Sequence, residues 1–376
     1  MNVKYQFSES RLPEDFAKEN MDKMKHLIDS SYSFTTLAMP GMGVSYLLRF
    51  LATRDFANFI HVDLYSLSNL TKHEFFRLLL HELGGKSRDK TDLEMLTECK
   101  KTLSDTAKKH PKIVLIFNRF DQLKKEFDET FFANLRALRD CAPGKIVLLF
   151  TAIKPLYETS PKAIGGANLN IFSKHLYLKP YSKYDLQQLL KITLTHKIPA
   201  IQLSKLIELS GGHSQLLHIL INSEKKPNPL LDHFVKLQMK ELLDYLNYPQ
   251  KKQVKKIALR KTAGEIDDYL LGVGMVKKVK SGHTLFSSLL TEYIKSNLQL
   301  RLPVKEARLF RVLRNNFGKT VSYEEIFEYV WEEDLENATN WALDSLIYRL
   351  RKNPGFISFG YAIENHKKVG YILLQN

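Results

Sequence analysis

Five short apolar runs recur through the first half of the chain, and they constrain its fold more than any other feature. Each run is rich in β-branched and aromatic residues and nearly continuous, which is typical of strands buried on both faces of a parallel sheet. The runs are SFTTLAMP (33–40), FIHVDL (59–64), KIVLIFN (112–118), KIVLLFTA (145–152) and HLYLKP (175–180). Amphipathic helical patterns separate them, so we predict a doubly wound α/β domain with a parallel sheet over residues 1–180.

Helical periodicity replaces the strand pattern after residue 180. Three helical segments fill residues 181–226, and the proline-containing segment EKKPNPLL (224–231) indicates a domain boundary. Further helices precede MVKKVKSGHTLFS (275–287), which has the pattern of a β-hairpin turning at Ser281-Gly282. Helices followed by a hairpin predict a winged helix over residues 227–300.

A second winged-helix pattern occupies residues 301–376. Its first helical segment ends at Gly318, and Ser322 followed three residues later by Glu325 is a capping-box pattern for the next helix. A longer helix is predicted over residues 338–353, and the remaining tail has the pattern of a hairpin. In a helix-turn-helix the second helix enters the major groove, so 338–353 is the predicted recognition helix.

The charge of the chain favours a polyanionic partner. A net charge of +15 and a pI of about 9.4 are typical of nucleic-acid-binding proteins, and an acidic membrane surface is the second alternative. Residues 225–300 carry 14 Lys/Arg and 7 Asp/Glu, a net of +7, whereas residues 301–376 carry 11 and 10, a net of +1. The middle module therefore either contributes to electrostatic binding or presents a solvated helix face and a charged edge strand.

The segment LAMPGMGVSYLLRFL (37–51) has the pattern of a phosphate-binding loop between a strand and a helix. Such loops direct backbone N–H groups at phosphate, and they use a lysine for the β- and γ-phosphates and a Ser or Thr for Mg²⁺. Gly41, Gly43 and Ser45 retain parts of this pattern. Val44 stands at the lysine position, where it supplies neither charge nor donors.

A second nucleotide-binding motif has also lost its chemistry. After the strand KIVLIFN, the positions expected to hold a metal-binding aspartate and a catalytic glutamate hold Asn118 and Arg119. An amide is a poorer Mg²⁺ ligand than a carboxylate, and arginine cannot act as a general base. The joint loss predicts an inactive ATPase with no catalytic residue. The degenerate nucleotide site would comprise Gly41, Gly43, Val44, Ser45, Asn118 and Arg119.

Residues 1–300 resemble the AAA+/STAND class of P-loop ATPases. The resemblance rests on the loop at 38–45, on the strands IVLIFNRFDQL and IVLLFTA, and on LSGGHSQLL (209–217), which is similar to the turn that opens a lid helix. It implies a P-loop NTPase-like sheet, a helical lid over 181–226 and at most weak binding of ATP or ADP with Mg²⁺. A homo-oligomer or a protein partner is expected at this domain. A nucleotide-switched STAND ATPase and a replication-initiator-like AAA+ protein stay open as alternatives.

Residues 302–376 resemble the C-terminal winged helix of OmpR-type response regulators. The residues that carry the resemblance are LPVKEARLFRVLRNNFGKTVSYEEIFEYVW, SLIYRLRKN and VGYIL. It implies double-stranded DNA as the partner. The predicted DNA-binding residues are Trp341, Ser345, Arg349, Arg351, Lys352, His366, Lys367 and Lys368.

The last module also departs from the OmpR pattern. Trp341 and Ala342 stand where the family has Arg-Thr, Lys368 replaces a wing glycine, and EEDLE (332–336) is an acidic loop. Base specificity is therefore not transferred from the family. A winged helix used for protein contact, as in a non-DNA adaptor of a defence or signalling complex, stays an alternative.

Other function classes find little support in the sequence. Cys99 and Cys141 have no metal spacing and form no disulfide framework, and no apolar run reaches the roughly 18 residues of a membrane span. The polar start MNVKYQFSES does not have the pattern of a signal peptide, so we expect a cytoplasmic protein without a membrane partner. The combined interpretation is a DNA-binding transcriptional regulator whose inactive ATPase-like domain acts as a scaffold or sensor.

Overall fold

The chain divides into two compact units, residues 1–257 with 262–290 and residues 258–261 with 291–376. The computed structural model describes residues 7–64, 67, 71–120, 127–159, 168–194, 198–223, 228–261, 263–297, 302–332, 334–353, 356 and 361–375. The first four residues of the predicted boundary segment 224–231 lie outside these ranges. The division of the chain into four modules, at 1–180, 181–226, 227–300 and 301–376, stays a prediction.

A five-stranded parallel sheet forms the centre of the first unit. Its strands are β1 (Phe34–Leu37), β2 (Asn58–Asp63), β3 (Ile113–Asn118), β4 (Ile146–Ala152) and β5 (His175–Tyr177). Their order across the sheet is β2-β3-β4-β1-β5, and every neighbouring pair is parallel. This confirms the predicted P-loop NTPase-like fold. The strand order reverses beside β1. The loop after β1 lies at the carboxyl edge of the sheet, where parallel sheets bind ligands at such a reversal.

Two strands are shorter than the apolar runs that predicted them. The run 33–40 predicts a strand to Pro40, but β1 ends at Leu37 and the next residues enter the loop before the following helix. Similarly, β5 covers only three residues of the run 175–180. Proline has no backbone N–H for a sheet ladder, which is consistent with both runs leaving the sheet before their terminal proline.

The helices of the α/β part and the predicted lid follow the expected alternation. They are α1 (Lys18–Asp29), α2 (Val44–Ala52), α3 (Lys72–Glu82), α4 (Asp92–Lys109), α5 (Glu129–Asp140), α6 (Leu156–Thr159), α7 (Leu169–Phe172), α8 (Lys183–Thr193), α9 (Ala200–Ser210) and α10 (Ser214–Asn222). Thr91 and Glu94 form a capping box at the start of α4, which fixes that helix N-terminus.

An aromatic core holds these helices on the sheet. Strands β3 and β4 are buried along their whole length, which explains why their sequences lack polar alternation. Phe117 of β3 stacks on Phe150 of β4 with centroids 5.4 Å apart. Phe75 of α3 meets Phe131 of α5 edge to face at 4.9 Å. Phe75 also stacks on Phe117, so this cluster holds α3 against the sheet.

The rest of the first unit contains the predicted middle hairpin. The elements are α11 (His233–Asp244), α12 (Tyr248–Ala258), α13 (Asp268–Gly272), β6 (Val276–Val279), β7 (Gly282–Leu285) and the start of α14 (Ser288–Asn297), whose residues from Thr291 belong to the second unit. Val279 pairs with Gly282, so the two-residue turn is Lys280-Ser281. The predicted turn at Ser281-Gly282 is therefore wrong by one residue, because Gly282 is already paired in β7.

The second unit has the order of a winged helix. Its elements are α15 (Val304–Asn315), β8 (Thr320–Ser322), α16 (Tyr323–Trp331), α17 (Asn340–Lys352), β9 (Tyr361–His366) and β10 (Gly370–Gln375), and the sheet order is β8-β10-β9. Ser322 accepts the backbone N–H of Glu325 at 3.2 Å, as the capping pattern predicted. Leu343, Leu346 and Leu350 bury one face of α17 in the core of this unit.

Candidate nucleotide pocket and nucleic-acid interface

The loop between β1 and α2 keeps the backbone shape of a phosphate-binding loop. Gly41 has φ +76° and Gly43 has φ +80°, which are left-handed conformations that favour glycine. A Cβ added at Gly41 would collide with Oε1 of Gln215, so α10, the third helix of the predicted lid, approaches the loop closely. The two glycines are therefore needed both for the turn and for this contact.

The carbonyl groups of this loop are bonded to other parts of the first unit. The backbone N–H of Gln215, in α10, donates to the Gly41 carbonyl at 3.0 Å. The Tyr181 hydroxyl donates to the Gly43 carbonyl at 3.0 Å. His213 Nε2 lies 2.7 Å from the Pro40 carbonyl oxygen. Two of these contacts join the loop to the start of α10, and the third joins it to Tyr181, which precedes α8.

His213 is held in the neutral state by its surroundings. Its Nδ1 accepts the backbone N–H of Leu216 at 3.1 Å, so Nε2 carries the proton that is donated to Pro40. Complete burial lowers the pKa of His213 to about 4, although its backbone hydrogen bonds act in the opposite direction. The Gly-Gly-His sequence had indicated a turn at this place, but not that the imidazole would bond to the loop.

Asn118 and Ser45 lie together in a hydrogen-bond network. The Thr151 hydroxyl donates to Oδ1 of Asn118 at 3.0 Å and accepts the backbone N–H of Arg119 at 2.7 Å. The Asn118 amide then donates to the Ser45 hydroxyl at 3.3 Å. The same Asn118 amide group also donates to Oδ1 of Asp63 at 3.5 Å. The expected proximity of the two motifs is thus present, joined by amide and hydroxyl groups.

These residues do not fit a magnesium ion. Mg²⁺ takes oxygen ligands in a near-octahedral arrangement and is usually held by carboxylates. Here the Asn118 NH₂ group points at Ser45, so a donor occupies the side where a metal needs an acceptor. Within the described ranges, no three His, Cys, Asp or Glu residues form a cluster that could bind a metal.

A cavity of about 610 Å³ lies over the loop and is large enough for a small organic ligand. Val44 is among its lining residues, and so are two arginines, Arg49 and Arg119. Arg49 is paired at 3.4 Å with the buried carboxylate of Glu9. Neither Arg49 nor Tyr181 was predicted, because each is placed at the loop by a contact between segments far apart in sequence.

The middle winged helix has its second helix packed inside the first unit. The Tyr269 hydroxyl of α13 donates to the carbonyl of Ile153, which follows β4, and Gly272 lies against the Tyr177 ring of β5. This face of α13 is therefore used in packing against the sheet of the first unit. The neighbouring hairpin is free of such packing at Lys278 and Lys280, whose side chains are exposed.

The predicted recognition helix presents an exposed stripe to solvent. Trp341 is 79% exposed and Tyr348 is 57% exposed, and Ser345 and Lys352 lie on the same stripe. The Lys352 ammonium lies 4.6 Å from the centre of the Tyr348 ring, a cation–π contact. The outward surface of α17 is therefore mainly aromatic, with one lysine at its C-terminal end.

The two arginines of α17 are bonded at the flanks of this stripe. Arg349 pairs with the buried Glu306 of α15 at 3.1 Å. Arg351 donates to the Ile363 carbonyl of β9 at 2.7 Å. Their assignment as DNA-binding residues stays a prediction, and the two contacts show that both arginines also attach α17 to its neighbours.

The wing is the turn between β9 and β10. Lys367 and Lys368 are exposed there, and Lys368 has φ +63°, the left-handed conformation that a glycine in this place would adopt without strain. His366 lies at the end of β9, with Nδ1 2.7 Å from the Thr320 hydroxyl of β8. The predicted wing residues therefore lie together, with His366 oriented by the edge strand.

Comparison with known proteins identifies the second unit. Residues 297–373 match the family model described as transcriptional regulatory protein, C terminal. No curated protein matches the chain in sequence.

Solved structures that superpose on this chain include a Walker-type ATPase. The Walker-type ATPase of Pyrococcus abyssi has a TM-score of 0.48 and 12% identity, covering 77% of this chain and 100% of that one. The Aeropyrum pernix ORC1 protein in complex with DNA has a TM-score of 0.42 and 10% identity, with coverage of 99% and 91%. Cdc6p from Pyrobaculum aerophilum has a TM-score of 0.40 and 13% identity, covering 98% of this chain and 91% of that one.

The chain thus joins an ATPase-like domain to the DNA-binding domain of a transcriptional regulator. The family match confirms the predicted OmpR-type winged helix. Since the superpositions have TM-scores below 0.5, the P-loop NTPase fold is assigned from the chain's own sheet order and loop. No helix in the described part of the chain is long and apolar enough to cross a membrane.

Proposed function

We propose that this chain regulates transcription by binding double-stranded DNA through α17 and the β9–β10 wing. The observation that carries the proposal is the match of residues 297–373 to the regulator domain, together with the exposure of the predicted reading face. Helix α17 enters the major groove with Trp341 and Ser345 towards the bases. Lys367 and Lys368 contact the phosphate backbone, which fixes the register of the helix on the duplex.

The exposed hairpin β6–β7 supplies a second set of phosphate contacts. Residues 225–300 have a net charge of +7, against +1 for residues 301–376. Lys278 and Lys280 are exposed, whereas α13 is held against the α/β part of the first unit. The middle module therefore adds sequence-independent affinity, and base reading belongs to the last module.

Fluorescence anisotropy with labelled duplex DNA tests DNA binding by the full chain. Binding should weaken steeply between about 50 and about 200 mM salt, because lysines on phosphates release counterions. The double variant Lys367→Ala with Lys368→Ala should bind more weakly and with a smaller salt slope. The matched control removes two exposed lysines from α4, Lys101 and Lys109. The absence of binding at low salt, or equal affinity of both double variants, would contradict the proposal.

The ATPase-like domain acts in this proposal as a scaffold or sensor that does not hydrolyse ATP. Val44 replaces the phosphate-binding lysine, and the amide of Asn118 bonds to Ser45. The loop carbonyls are bonded to α10 and Tyr181, which holds the predicted lid against the loop. A homo-oligomer or a protein partner would be held through the surface of this domain.

Isothermal titration separates this scaffold from a nucleotide switch. We expect any ATP or ADP binding in the cavity to be weak and independent of Mg²⁺, because Ser45 and Asn118 are bonded to each other. Titrations with and without Mg²⁺ measure this directly. Micromolar binding that requires Mg²⁺ and is lost in Ser45→Ala would support the alternative, a nucleotide-switched STAND ATPase.

A further inference from the structure

The outward surface of α17 is divided into three parallel stripes. At 100° per residue, Trp341, Ser345, Tyr348 and Lys352 fall within one narrow sector opposite the buried leucines. Arg349 lies on the flank next to α15, where it pairs with Glu306. Arg351 lies on the other flank, next to the wing sheet, and donates to the Ile363 carbonyl. The central stripe therefore contains aromatic rings and a hydroxyl, and the arginines are at its sides.

This division limits which base edges α17 can read. Guanine is most often read by an arginine that donates two hydrogen bonds to O6 and N7. Both arginines already use part of their donors within the unit: Arg349 Nε pairs with the buried Glu306, and Arg351 Nε and Nη2 donate to the Ile363 carbonyl. These contacts hold the two guanidinium groups at the flanks of the stripe. Asp344 is engaged as well, because it accepts the Tyr371 hydroxyl at 2.6 Å.

We propose that α17 reads the methyl groups of thymine through Trp341 and Tyr348. The proposal rests on the proposed function, since it requires α17 in the major groove. Thymine is the base that presents an apolar group there, its C5-methyl, and an apolar side chain recognises it by contact. The position of Trp341 in the first turn of α17 favours base contact, because residues near the N-terminus of a recognition helix reach the base edges.

The aromatic stripe is suited to a nucleic acid by the charges around it. Lys352 continues the stripe and stacks on Tyr348, so its ammonium is fixed beside the ring and can reach a phosphate. Lys367 and Lys368 are exposed on the wing of the same unit. A duplex contacted at these lysines would bring its major groove to an aromatic stripe with cationic neighbours.

Removal of the thymine methyls tests this reading. The full chain first selects a duplex from a random pool at low salt, and that duplex is then resynthesised with deoxyuridine in place of thymidine. Each contacted methyl that is lost should weaken binding about fourfold, which is the value of burying one methylene-sized group. Anisotropy titrations of both duplexes measure the ratio.

Two variants assign the effect to the stripe. Trp341→Ala with Tyr348→Ala should bind both duplexes almost equally, and because the two side chains are 79% and 57% exposed the changes should leave the fold intact. The control Phe317→Ala removes another exposed aromatic side chain of the same unit, 48% exposed, and should keep the preference for thymine.

The outcomes separate this inference from the proposed function. Equal binding of the thymine and uracil duplexes by the unchanged protein overturns methyl reading but leaves DNA binding in place. A preference that persists in Trp341→Ala with Tyr348→Ala also overturns it, and would leave the stripe to a protein partner. The absence of any duplex binding at low salt overturns both proposals.

Discussion

At the scale of single residues, His213 makes stability depend on pH. Its neutral imidazole donates to Pro40 and accepts from Leu216, and burial lowers its pKa to about 4 from the ordinary 6.5. An unfolded chain therefore binds a proton at this residue at a higher pH than the folded chain. The stabilisation is fully present above pH 6.5 and is lost as the pH falls towards 4.

The first prediction is acid destabilisation of the first unit that depends on His213. Between pH 6.5 and 4 the free energy of unfolding should fall by about 3 kcal/mol through this residue, from about 1.4 kcal/mol per pKa unit. Urea unfolding at several pH values should therefore give a smaller pH dependence for His213→Gln than for the unchanged protein. An unchanged pH dependence in His213→Gln would contradict the prediction.

The sequence showed which motif positions lack the expected functional side chain, but not the contacts that the residues at these positions make. Val44, Asn118 and Arg119 could be recognised because a motif states which side chain belongs at each position. The bond from Asn118 to Ser45 connects residues 73 positions apart, and the pair of Arg349 with Glu306 connects two different helices. Such contacts are set by tertiary packing, which the spacing of a motif does not specify.

At the scale of elements, helix α13 distinguishes the middle winged helix from the last one. It has only five residues, and its Tyr269 hydroxyl donates to the Ile153 carbonyl of the α/β part. Helix α17 has thirteen residues and an exposed outward stripe. The two modules both place a helix directly before a hairpin but use that helix differently, one in packing and one as the candidate reading helix.

The second prediction concerns α13 as a packing helix. Tyr269→Phe removes the hydroxyl donor while keeping the ring, and should lower the free energy of unfolding of the first unit by about 1 kcal/mol. DNA affinity at low salt should stay unchanged, because this helix does not meet the duplex. Tyr248→Phe, at a 79% exposed position on α12, is the control and should change neither quantity. A loss of DNA affinity in Tyr269→Phe at unchanged stability would show that α13 reads DNA.

The elements were predictable to the extent that local pattern determines them. All five parallel strands and the last winged helix followed from apolar runs and caps, because burial on both faces and side-chain capping leave local signals. The turn between β6 and β7 was missed by one residue, since the register Val279 to Gly282 depends on pairing across the hairpin. The burial of α13 left no local signal, because Tyr269 and Gly272 fit either an exposed or a packed short helix.

At the scale of the whole molecule, most of the excess positive charge and the proposed reading helix belong to different units. The basic hairpin belongs to the first compact unit and the reading helix belongs to the second. If both contact one duplex, the affinity depends on two sets of phosphate contacts, and binding of one raises the effective concentration of DNA at the other. Salt dependence counts these contacts, because each neutralised phosphate contributes about 0.9 to the slope of log K against log salt.

The third prediction is that the two lysine pairs reduce this slope additively. Lys278→Ala with Lys280→Ala and Lys367→Ala with Lys368→Ala remove the same charge from the two units, and each pair should lower the slope by about 2 on a long duplex. The four changes together should lower it by about 4, because the contacts are made to separate phosphates. The Lys101→Ala with Lys109→Ala control should leave it unchanged. If the hairpin serves only as a solvated edge, Lys278→Ala with Lys280→Ala would leave the salt slope unchanged. The whole decrease of the slope in the fourfold variant would then come from Lys367 and Lys368.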